Sequence, residues 1–430
     1  MPTTLLPASA YSLPPHLSRQ NGALYLEGVG LSALAAQHST PTYVYSTAAI
    51  TQAYQAYTHA LKGRSARVHY ALKANSNLSV LKLLHSLGAG FDIVSAGELA
   101  CALAVGASGK DIVFSGVGKS VADMKTALAA DVGCFNIESI PELDRLSAVA
   151  ANLGKTAHIS VRINPDVDAK THPYISTGLK ENKFGVAKEA AVALYQHAAK
   201  LPGIAVAGID FHIGSQITTI APYLDAIDRL LDLVEAIETA GVPIHHLDLG
   251  GGIGIDYEGS PLPPLGEFMA AMLAKLDARG HGHRALAFEP GRSIVGNAGV
   301  LLTTVEYLKP TPYKNYAIVD AGMNDLMRPT LYQAYHGMTE VVQSQAAPHT
   351  YDVVGPVCES GCWLGKNRSL AVAQGDVIAI LSAGAYAASM FSNYNMRNHG
   401  AEVLVSGDQA KLVRPRETVA QQLASQLSCL

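Results

Sequence analysis

The feature that most constrains the fold is a regular alternation of short strand-like runs with Ala- and Leu-rich helical segments between Val68 and Pro290. Strands that alternate with helices are typical of a parallel α/β architecture, and eight strands favour a closed (β/α)8 barrel over an open sheet. Periodicity alone leaves both alternatives open. The eight strand candidates are VHYAL, GFDIVS, DIVFS, GCFNI, HISVRI, VAGIDFHI, HHLDLG and ALAFEP.

The pattern changes after Pro290, where strand-like runs are separated by Gly, Pro and Asn instead of by helices. This texture indicates a second, mostly-β domain. We therefore predict a barrel formed by residues 37–290 and a β-rich domain formed by residues 291–430, whose sheet is completed by the strand-like residues 1–36.

Composition excludes several classes of protein. The chain has 430 residues, of which 49% are hydrophobic and 15% charged, so it can bury large cores and does not resemble a disordered chain. A net charge of −4 without a basic run argues against nucleic acid or an anionic membrane as a partner. Five scattered cysteines and an N-terminus unlike a secretion signal predict a cytoplasmic protein.

Polar residues occur where the predicted barrel strands end, and this is the face that carries the active site in such barrels. Six of the eight strands contribute to this set. The residues are Lys73 after the first strand, Asp92 in the second, Asn164 after the fifth, His212–Gln216 after the sixth, Gly250–Gly252 after the seventh and Glu289–Arg292 after the eighth.

Together these residues suit pyridoxal 5′-phosphate. A lysine in a partly desolvated mouth can form a Schiff base with an aldehyde, and Glu289 can hold the proton of a pyridine ring on which His212 stacks. Glycine-rich backbone and Arg292 can bind a phosphate. Each residue alone has an ordinary structural explanation, such as a surface lysine, a hydrogen-bonded histidine or a tight turn. Their shared position is what favours a cofactor site.

Nine motifs between residues 20 and 413 resemble the diaminopimelate decarboxylase family, and they occur in the same order as in that family. The resemblance implies an alanine-racemase-like barrel joined to a β domain, and a homodimer with shared active sites. The motifs are YALKANSN, FDIVSAGEL, RINPDVDAKTHPYISTGLKENKFG, HIGSQI, LDLGGGIGIDY, EPGRSIVGNAG, DAGMNDLMRPTLYQAYH, GPVCESGCWLG and GAYAASMFSNYN.

The resemblance also implies roles for residues of the barrel motifs. Lys73 would form the Schiff base with pyridoxal 5′-phosphate, His212 would stack on the ring and Glu289 would bind the pyridine nitrogen. The residues implied to lie at the phosphate are Ser215, Gly252, Gly291 and Arg292, of which Arg292 would also lie beside the substrate.

In the second domain the resemblance implies substrate-binding roles. Arg328 and Tyr332 would hold a substrate carboxylate, and Tyr386 would touch both cofactor and substrate. Cys358 and Glu359 would reach into the neighbouring subunit's site, Cys358 as a catalytic proton donor and Glu359 as the partner of the distal ammonium. The implied reaction converts meso-2,6-diaminopimelate into L-lysine and carbon dioxide, the last step of lysine biosynthesis.

Two alternatives stay open, namely a related decarboxylase of ornithine or arginine and a non-catalytic barrel homologue. The sequence CES together with MRPTLY favours diaminopimelate, and intact Lys73, Glu289 and Cys358 argue for catalysis. Two positions, Cys362 and Ala387, depart from the family's usual acidic residue and glycine. We predict no metal, because Cys358 and Cys362 lack the two further ligands of a structural zinc site.

Overall fold

The computed structural model describes residues 13–169, 171–179, 181–259 and 262–430. The chain forms two compact units. The barrel unit comprises Ala53–Ile255 and Leu262–Ser293, and the β unit comprises Met1–Gln52, Asp256–Pro261 and Ile294–Leu430. The first twelve residues of the predicted β domain lie outside the described residues. Across the described part of the chain, we find no helix that combines the length and hydropathy needed to cross a membrane.

The barrel unit is built on eight parallel strands that form a closed ring. Neighbouring strands pair in parallel, and the ring closes where Leu286 of the eighth strand pairs with Ala66 of the first. All eight strand candidates form barrel strands, so the predicted closed barrel is confirmed. In chain order the strands are Ala66–Ala71, Gly90–Ile93, Ile112–Phe114, Cys134–Ile137, Ala157–Asn164, Ile204–Asp210, His246–Asp248 and Ala285–Phe288.

Helices connect the barrel strands, and serine begins several of them. The hydroxyl oxygens of Ser95, Ser120 and Ser139 accept hydrogen bonds from backbone N–H groups in the first turn, which satisfies donors that a helix start leaves without partners. The barrel helices are Leu78–Ser86, Ala96–Ala104, Val121–Ala129, Ile140–Asn152, Lys188–Ala198, Ala221–Thr239 and Leu265–Ala278. Helices Thr47–Ala60 and Arg292–Val295 include residues of both units. A two-residue strand, Val186–Ala187, pairs with the fifth barrel strand.

The β unit contains a large mixed sheet. Its main path runs through Trp363–Leu370, His349–Val354, Asn315–Val319, Gly299–Pro310, Thr42–Ser46, Ala401–Ser406 and Gln409–Arg414. Val377–Ile380 pairs with Gly299–Pro310 and with the short strand Met338–Glu340. The helices of this unit are Leu31–His38, Arg328–Tyr332 and Val419–Leu427.

The described N-terminal residues belong to the β unit, where they form a sheet of their own and do not extend the large sheet. Strands Leu17–Gln20, Ala23–Leu26 and Val29–Gly30 form a small sheet, and the backbone N–H of Leu24 donates to the carbonyl of Val341 at 2.8 Å. Leu17, Leu24 and Leu26 are buried in one core with Val44, Val300, Leu302, Val403 and Val405. Strand Thr42–Ser46 falls in the sequence range that we assigned to the barrel, but it pairs with Gly299–Pro310 and Ala401–Ser406 of the β unit.

Candidate active site

Lys73 lies at the carboxyl end of the first barrel strand, in the single 3-10 turn Leu72–Ala74. Its Nζ donates a hydrogen bond of 2.6 Å to Oδ2 of Asp92, whose side chain is completely buried in the second strand. The Lys73 side chain is 38% exposed. The amine is therefore held by a buried carboxylate and is still accessible to a small aldehyde.

Three buried carboxyl groups lie at the ends of the sixth, seventh and eighth strands. Oxygen atoms of Asp210, Asp248 and Glu289 lie within 4.8 Å of one another. Burial first, and then repulsion by neighbouring carboxylates, raises the pKa of Asp248 to about 7 and the pKa values of Asp210 and Glu289 well above their ordinary range. The group therefore keeps a proton at neutral pH.

Glu289 is held in place by two polar side chains, Ser115 directly after the third strand and Asn136 in the fourth strand. Its Oε1 accepts hydrogen bonds from Nδ2 of Asn136 at 3.2 Å and from Oγ of Ser115 at 3.4 Å. Nδ2 of Asn136 also donates to Oγ of Ser115 at 3.1 Å, which ties the two partners together. The carboxyl group thus has a fixed orientation inside the barrel. An acid that binds one particular ring nitrogen needs such a fixed orientation.

His212 presents a neutral ring at the end of the sixth strand. Its Nδ1 accepts a hydrogen bond of 3.2 Å from the backbone N–H of Gly251, so the proton of the neutral imidazole is on Nε2. Desolvation, followed by the positive charges of Arg162 and Lys73, holds the pKa of His212 well below its ordinary value. A neutral imidazole can pack on an aromatic cofactor without adding charge to the site.

Arg292 and Ser215 form a hydrogen-bonding pair suited to an anion. Nη2 of Arg292 donates to Oγ of Ser215 at 2.9 Å, which joins the turn after the eighth strand to the loop after the sixth. At Gly291, the residue before Arg292, an added Cβ would lie 2.9 Å from Cβ of Ala74, the neighbour of Lys73. Glycine therefore lets this turn approach the lysine closely.

The loop Gly250–Gly252 packs too closely on its neighbours for side chains. Gly252 has a φ of +102°, and a Cβ added there would lie 2.0 Å from the carbonyl oxygen of Gly214. A Cβ added at Gly251 would lie 2.0 Å from the carbonyl oxygen of Glu289. The backbone N–H groups of Gly250 and Gly251 already donate to Oδ1 of Asp248 and to Nδ1 of His212, so Gly252 is the residue of this loop whose N–H suits an anion.

The chemistry of this set fits pyridoxal 5′-phosphate. Lys73 would supply an amine for the aldehyde, Glu289 would supply an acid for the pyridine nitrogen, and Arg292 with Ser215 would supply donors for the phosphate. Oδ1 of Asp210 is buried without a hydrogen-bond partner among the described residues. A protonated ring nitrogen beside these carboxyl groups would offset part of their mutual repulsion.

In the β unit, Arg328 begins the helix Arg328–Tyr332, and only 4% of its surface is exposed. Its Nη1 donates to Nε2 of His336 at 2.7 Å, and its Cζ lies 4.3 Å from the centre of the Tyr257 ring. A guanidinium fixed in this way is oriented for binding a carboxylate through two parallel hydrogen bonds. Tyr332, at the other end of the helix, is half-buried.

Cys358 and Glu359 lie on an exposed turn. The backbone N–H of Cys358 donates to Oδ1 of Asn395 at 3.3 Å, and Oε1 of Glu359 accepts a hydrogen bond of 2.6 Å from the hydroxyl of Tyr394. That hydrogen bond raises the pKa of Tyr394. Both side chains are thus accessible to another molecule, and their roles in a partner's site stay predictions.

Tyr386 and Cys362 differ in their surroundings. Tyr386 has a φ of +54°, in the left-handed region that a bulky residue rarely adopts and that is common at ligand-binding positions.

Cys362, one of the two departures from the family pattern, is buried, and its Sγ accepts a hydrogen bond of 3.4 Å from the backbone N–H of Met323. Cys362 thus serves in packing, as a small apolar residue does.

The structure brings most of the predicted cofactor residues together within the barrel unit, at the carboxyl ends of the strands. These residues are Lys73, His212, Ser215, Gly252, Glu289, Gly291 and Arg292. The predicted substrate residues Arg328 and Tyr332 share one short helix of the β unit. The catalytic and binding roles of all these residues stay predictions.

Sequence reasoning missed Asp210 and Asp248, because both lie inside the predicted strands VAGIDFHI and HHLDLG, whereas the structure ends those strands at these two residues. It also missed His336, although this histidine is the last residue of the motif DAGMNDLMRPTLYQAYH. Asn164 was noted at a strand end, and the structure gives it a local role, because its Nδ2 donates to the carbonyl of Leu179 at 2.7 Å.

Comparison with known proteins agrees with this site. The family of pyridoxal-dependent decarboxylases, through the model of its pyridoxal-binding domain, matches residues 47–296. Diaminopimelate decarboxylase of Neisseria meningitidis serogroup A is 54% identical, over 95% of this chain and 100% of that protein. The corresponding enzyme of Pseudomonas fluorescens is 56% identical, over 95% of this chain and 97% of that protein.

A solved structure extends the similarity to the fold. The crystal structure of diaminopimelate decarboxylase from Helicobacter pylori complexed with L-lysine has a TM-score of 0.89 and 41% identity, and the match covers 93% of this chain and 100% of that one. Both the barrel unit and the β unit are included at this coverage. The chain therefore belongs to the diaminopimelate decarboxylases, which are pyridoxal 5′-phosphate-dependent enzymes.

Proposed function

We propose that this enzyme removes the carboxylate at the D-configured carbon of meso-2,6-diaminopimelate and releases L-lysine and carbon dioxide, as the last step of lysine biosynthesis by the diaminopimelate route. The proposal is carried by one observation, the arrangement of Lys73, Glu289 and the Arg292–Ser215 pair at the carboxyl ends of the first, eighth and sixth barrel strands. The binding of L-lysine by the diaminopimelate decarboxylases from Helicobacter pylori and m. jannaschii supports lysine as the product.

When bound, pyridoxal 5′-phosphate supplies an electron sink for the electron pair that remains as the bond from Cα to the carboxylate breaks. Lys73 would hold the aldehyde through its Nζ, and Asp92 would keep that nitrogen at the barrel mouth. Glu289 would hydrogen-bond the pyridine nitrogen, and its raised pKa means that the carboxyl group can bring a proton to this contact. Its fixed orientation by Asn136 and Ser115 supports this role.

The remaining cofactor residues would bind and orient. Ser215, Gly252, Gly291 and Arg292 would hold the phosphate, because a guanidinium, a hydroxyl and exposed backbone N–H groups are its usual ligands. His212 would pack its neutral ring against the cofactor. Its tautomer leaves Nε2–H as the donor, since Nδ1 already accepts from Gly251.

Substrate selection would depend on charge. Diaminopimelate carries a second, intact amino-acid end with one carboxylate and one ammonium. Arg328 and Tyr332 would bind that carboxylate, Glu359 would bind that ammonium, and Tyr386 would touch both cofactor and substrate. Ornithine lacks the distal carboxylate. Arg328, which is held in place by His336 and Tyr257, would therefore favour diaminopimelate over ornithine.

We further propose a homodimer in which Cys358 and Glu359 of the partner subunit complete each site. Decarboxylation leaves Cα in need of a proton, and the Cys358 thiol would donate it. The structure contains Cys358 as an exposed free thiol, which suits this role and a reducing cytoplasm.

A complementation experiment tests the shared site. Lys73→Ala and Cys358→Ala chains with different affinity tags are co-expressed, and the mixed dimer is purified. If each site takes Lys73 from one chain and Cys358 from the other, the purified mixed dimer contains one intact site of two and regains about half of wild-type activity. No regain in the mixed dimer, with both parent variants folded, would mean that the site is not shared.

A further inference from the structure

The side chain of His336 connects two segments of the β unit at Arg328. Its Nε2 accepts a hydrogen bond of 2.7 Å from Nη1 of Arg328, and its Nδ1 lies 2.9 Å from the carbonyl oxygen of Leu381. The histidine is completely buried. A buried imidazole with these two partners has no freedom to rotate.

The two partners determine the protonation state of His336. A guanidinium only donates hydrogen bonds, so Nε2 must accept and carries no proton. A carbonyl oxygen only accepts, so Nδ1 must carry the proton and donate it. His336 is therefore the neutral Nδ1–H tautomer. A second proton on the ring would remove the acceptor and place a cation against the Arg328 guanidinium.

Tyr257 restrains Arg328 from another direction. The Arg328 Cζ lies 4.3 Å from the centre of the Tyr257 ring, and the ring of His336 meets the same tyrosine edge-on at 5.0 Å and 72°. The ring face attracts the cation, while the imidazole accepts from one N–H of its fork. Tyr257 thus contacts the face of the Arg328 guanidinium, and His336 binds its edge.

Leu381 joins this group to the segment that leads to Tyr386. The side chain of His336 donates to the carbonyl of Leu381, and the backbone N–H of Leu381 donates to the carbonyl of Gly337 at 2.8 Å. Leu381 directly follows strand Val377–Ile380, and Tyr386 lies five residues further along the chain. His336 and Gly337, which follow the helix of Arg328, are therefore hydrogen-bonded to the segment that leads to Tyr386.

We propose that His336 is a positioning residue for substrate recognition, which orients Arg328 toward the distal carboxylate of the substrate. A carboxylate in place of His336 would make the same hydrogen bond, but its negative charge would compete with the substrate. The neutral imidazole orients the guanidinium without neutralising it. This inference rests on the proposed function, in which Arg328 binds that carboxylate.

Two substitutions of His336 distinguish positioning from simple packing. H336L removes the acceptor at similar volume, whereas H336Q keeps a carbonyl oxygen that can accept from Arg328. A hydrogen bond to a charged group has an effect of about tenfold or more. We expect H336L to raise KM for meso-diaminopimelate about tenfold or more with a smaller change in kcat, and H336Q to restore most of the loss.

The matched control is H399L. His399 is also a buried histidine of the β unit whose Nδ1 lies 2.7 Å from a backbone carbonyl, that of Gly400. H399L shows what loss of a buried imidazole does to thermal stability and to kinetics in general. We expect it to leave KM for meso-diaminopimelate unchanged at a temperature where all variants are folded.

A substrate lacking the distal carboxylate gives the sharpest test. D-lysine has the same reacting end as meso-diaminopimelate and only an ammonium at the other end. We expect H336L to weaken binding of meso-diaminopimelate but to leave the inhibition constant of D-lysine unchanged. Equal losses for both compounds, or an H336L variant with unchanged KM, would overturn the positioning role. A wild-type enzyme that releases no carbon dioxide from meso-diaminopimelate would overturn the proposed function itself, and this inference with it.

Discussion

Replacing His69 with glutamine should make the enzyme less sensitive to acid. His69 lies in the first barrel strand, is only 8% exposed, and packs against Gly90, where an added Cβ would lie 2.6 Å from Nδ1 of the histidine. Desolvation, followed by the charge of Arg67, lowers the pKa of His69 to about 4. The folded barrel therefore holds this imidazole neutral.

The magnitude follows from the difference between the folded and unfolded chains. The ordinary pKa of a histidine is 6.5, and the folded value is about 4, a gap that corresponds to about 3 kcal/mol of unfolding free energy. Above pH 6.5 the imidazole is neutral in both states, so this stability is fully present. Between pH 6.5 and 4 only the unfolded chain binds the proton, so the free energy of unfolding decreases as the pH falls, and below pH 4 no further loss arises from His69.

The assay is urea unfolding followed by circular dichroism between pH 7.5 and 4.5. We expect the free energy of unfolding to decrease less for H69Q than for the wild type as the pH falls. Across this range the two decreases should differ by most of about 3 kcal/mol. H59Q, which removes an exposed histidine, is the matched control and should keep the wild-type slope. The same slope for H69Q and the wild type would refute the reasoning.

Four further substitutions test other parts of the structure. Cys358→Ala should keep cofactor absorbance and slow carbon dioxide release about a hundredfold or more, since it removes the proposed acid; unchanged turnover would exclude that role. Glu289→Gln should likewise bind the cofactor but lower kcat about a hundredfold or more, and full activity would show that the ring nitrogen does not need this acid. Gly252→Ala, whose Cβ would lie 2.0 Å from the carbonyl of Gly214, should weaken cofactor binding measured by equilibrium dialysis, and wild-type affinity would contradict the close-packed loop. Ser120→Ala removes a helix cap and should cost about 1 kcal/mol in urea unfolding without changing cofactor affinity; no loss of stability would show that the cap is dispensable.

The barrel could be predicted from the sequence because each strand and helix has its own local pattern. A buried parallel strand is a short β-branched run such as VHYAL, and a serine before an Ala-rich segment signals the helix that follows. The position of Lys73 after such a run was sufficient to locate the mouth of the barrel. The resemblance to a family added the residues of the β unit, which no periodicity selects.

Contacts between distant residues could not be predicted in the same way. Thr42–Ser46 reads as a generic buried strand, and nothing local shows that it pairs with Gly299–Pro310 and Ala401–Ser406. The contact between His336 and Arg328 depends on how the intervening turn folds back. The raised pKa values of Asp210 and Asp248 depend on the register that places them beside Glu289.

The most direct test of the account is carbon dioxide release from meso-diaminopimelate by the purified enzyme supplied with pyridoxal 5′-phosphate. L-ornithine and L-arginine are measured in parallel, and the Lys73→Ala variant is the control. We expect release from diaminopimelate alone, formation of L-lysine in equal amount, and loss of both in the variant. Release only from another amino acid would contradict the proposed substrate, and release that survives in Lys73→Ala would contradict the role of Lys73.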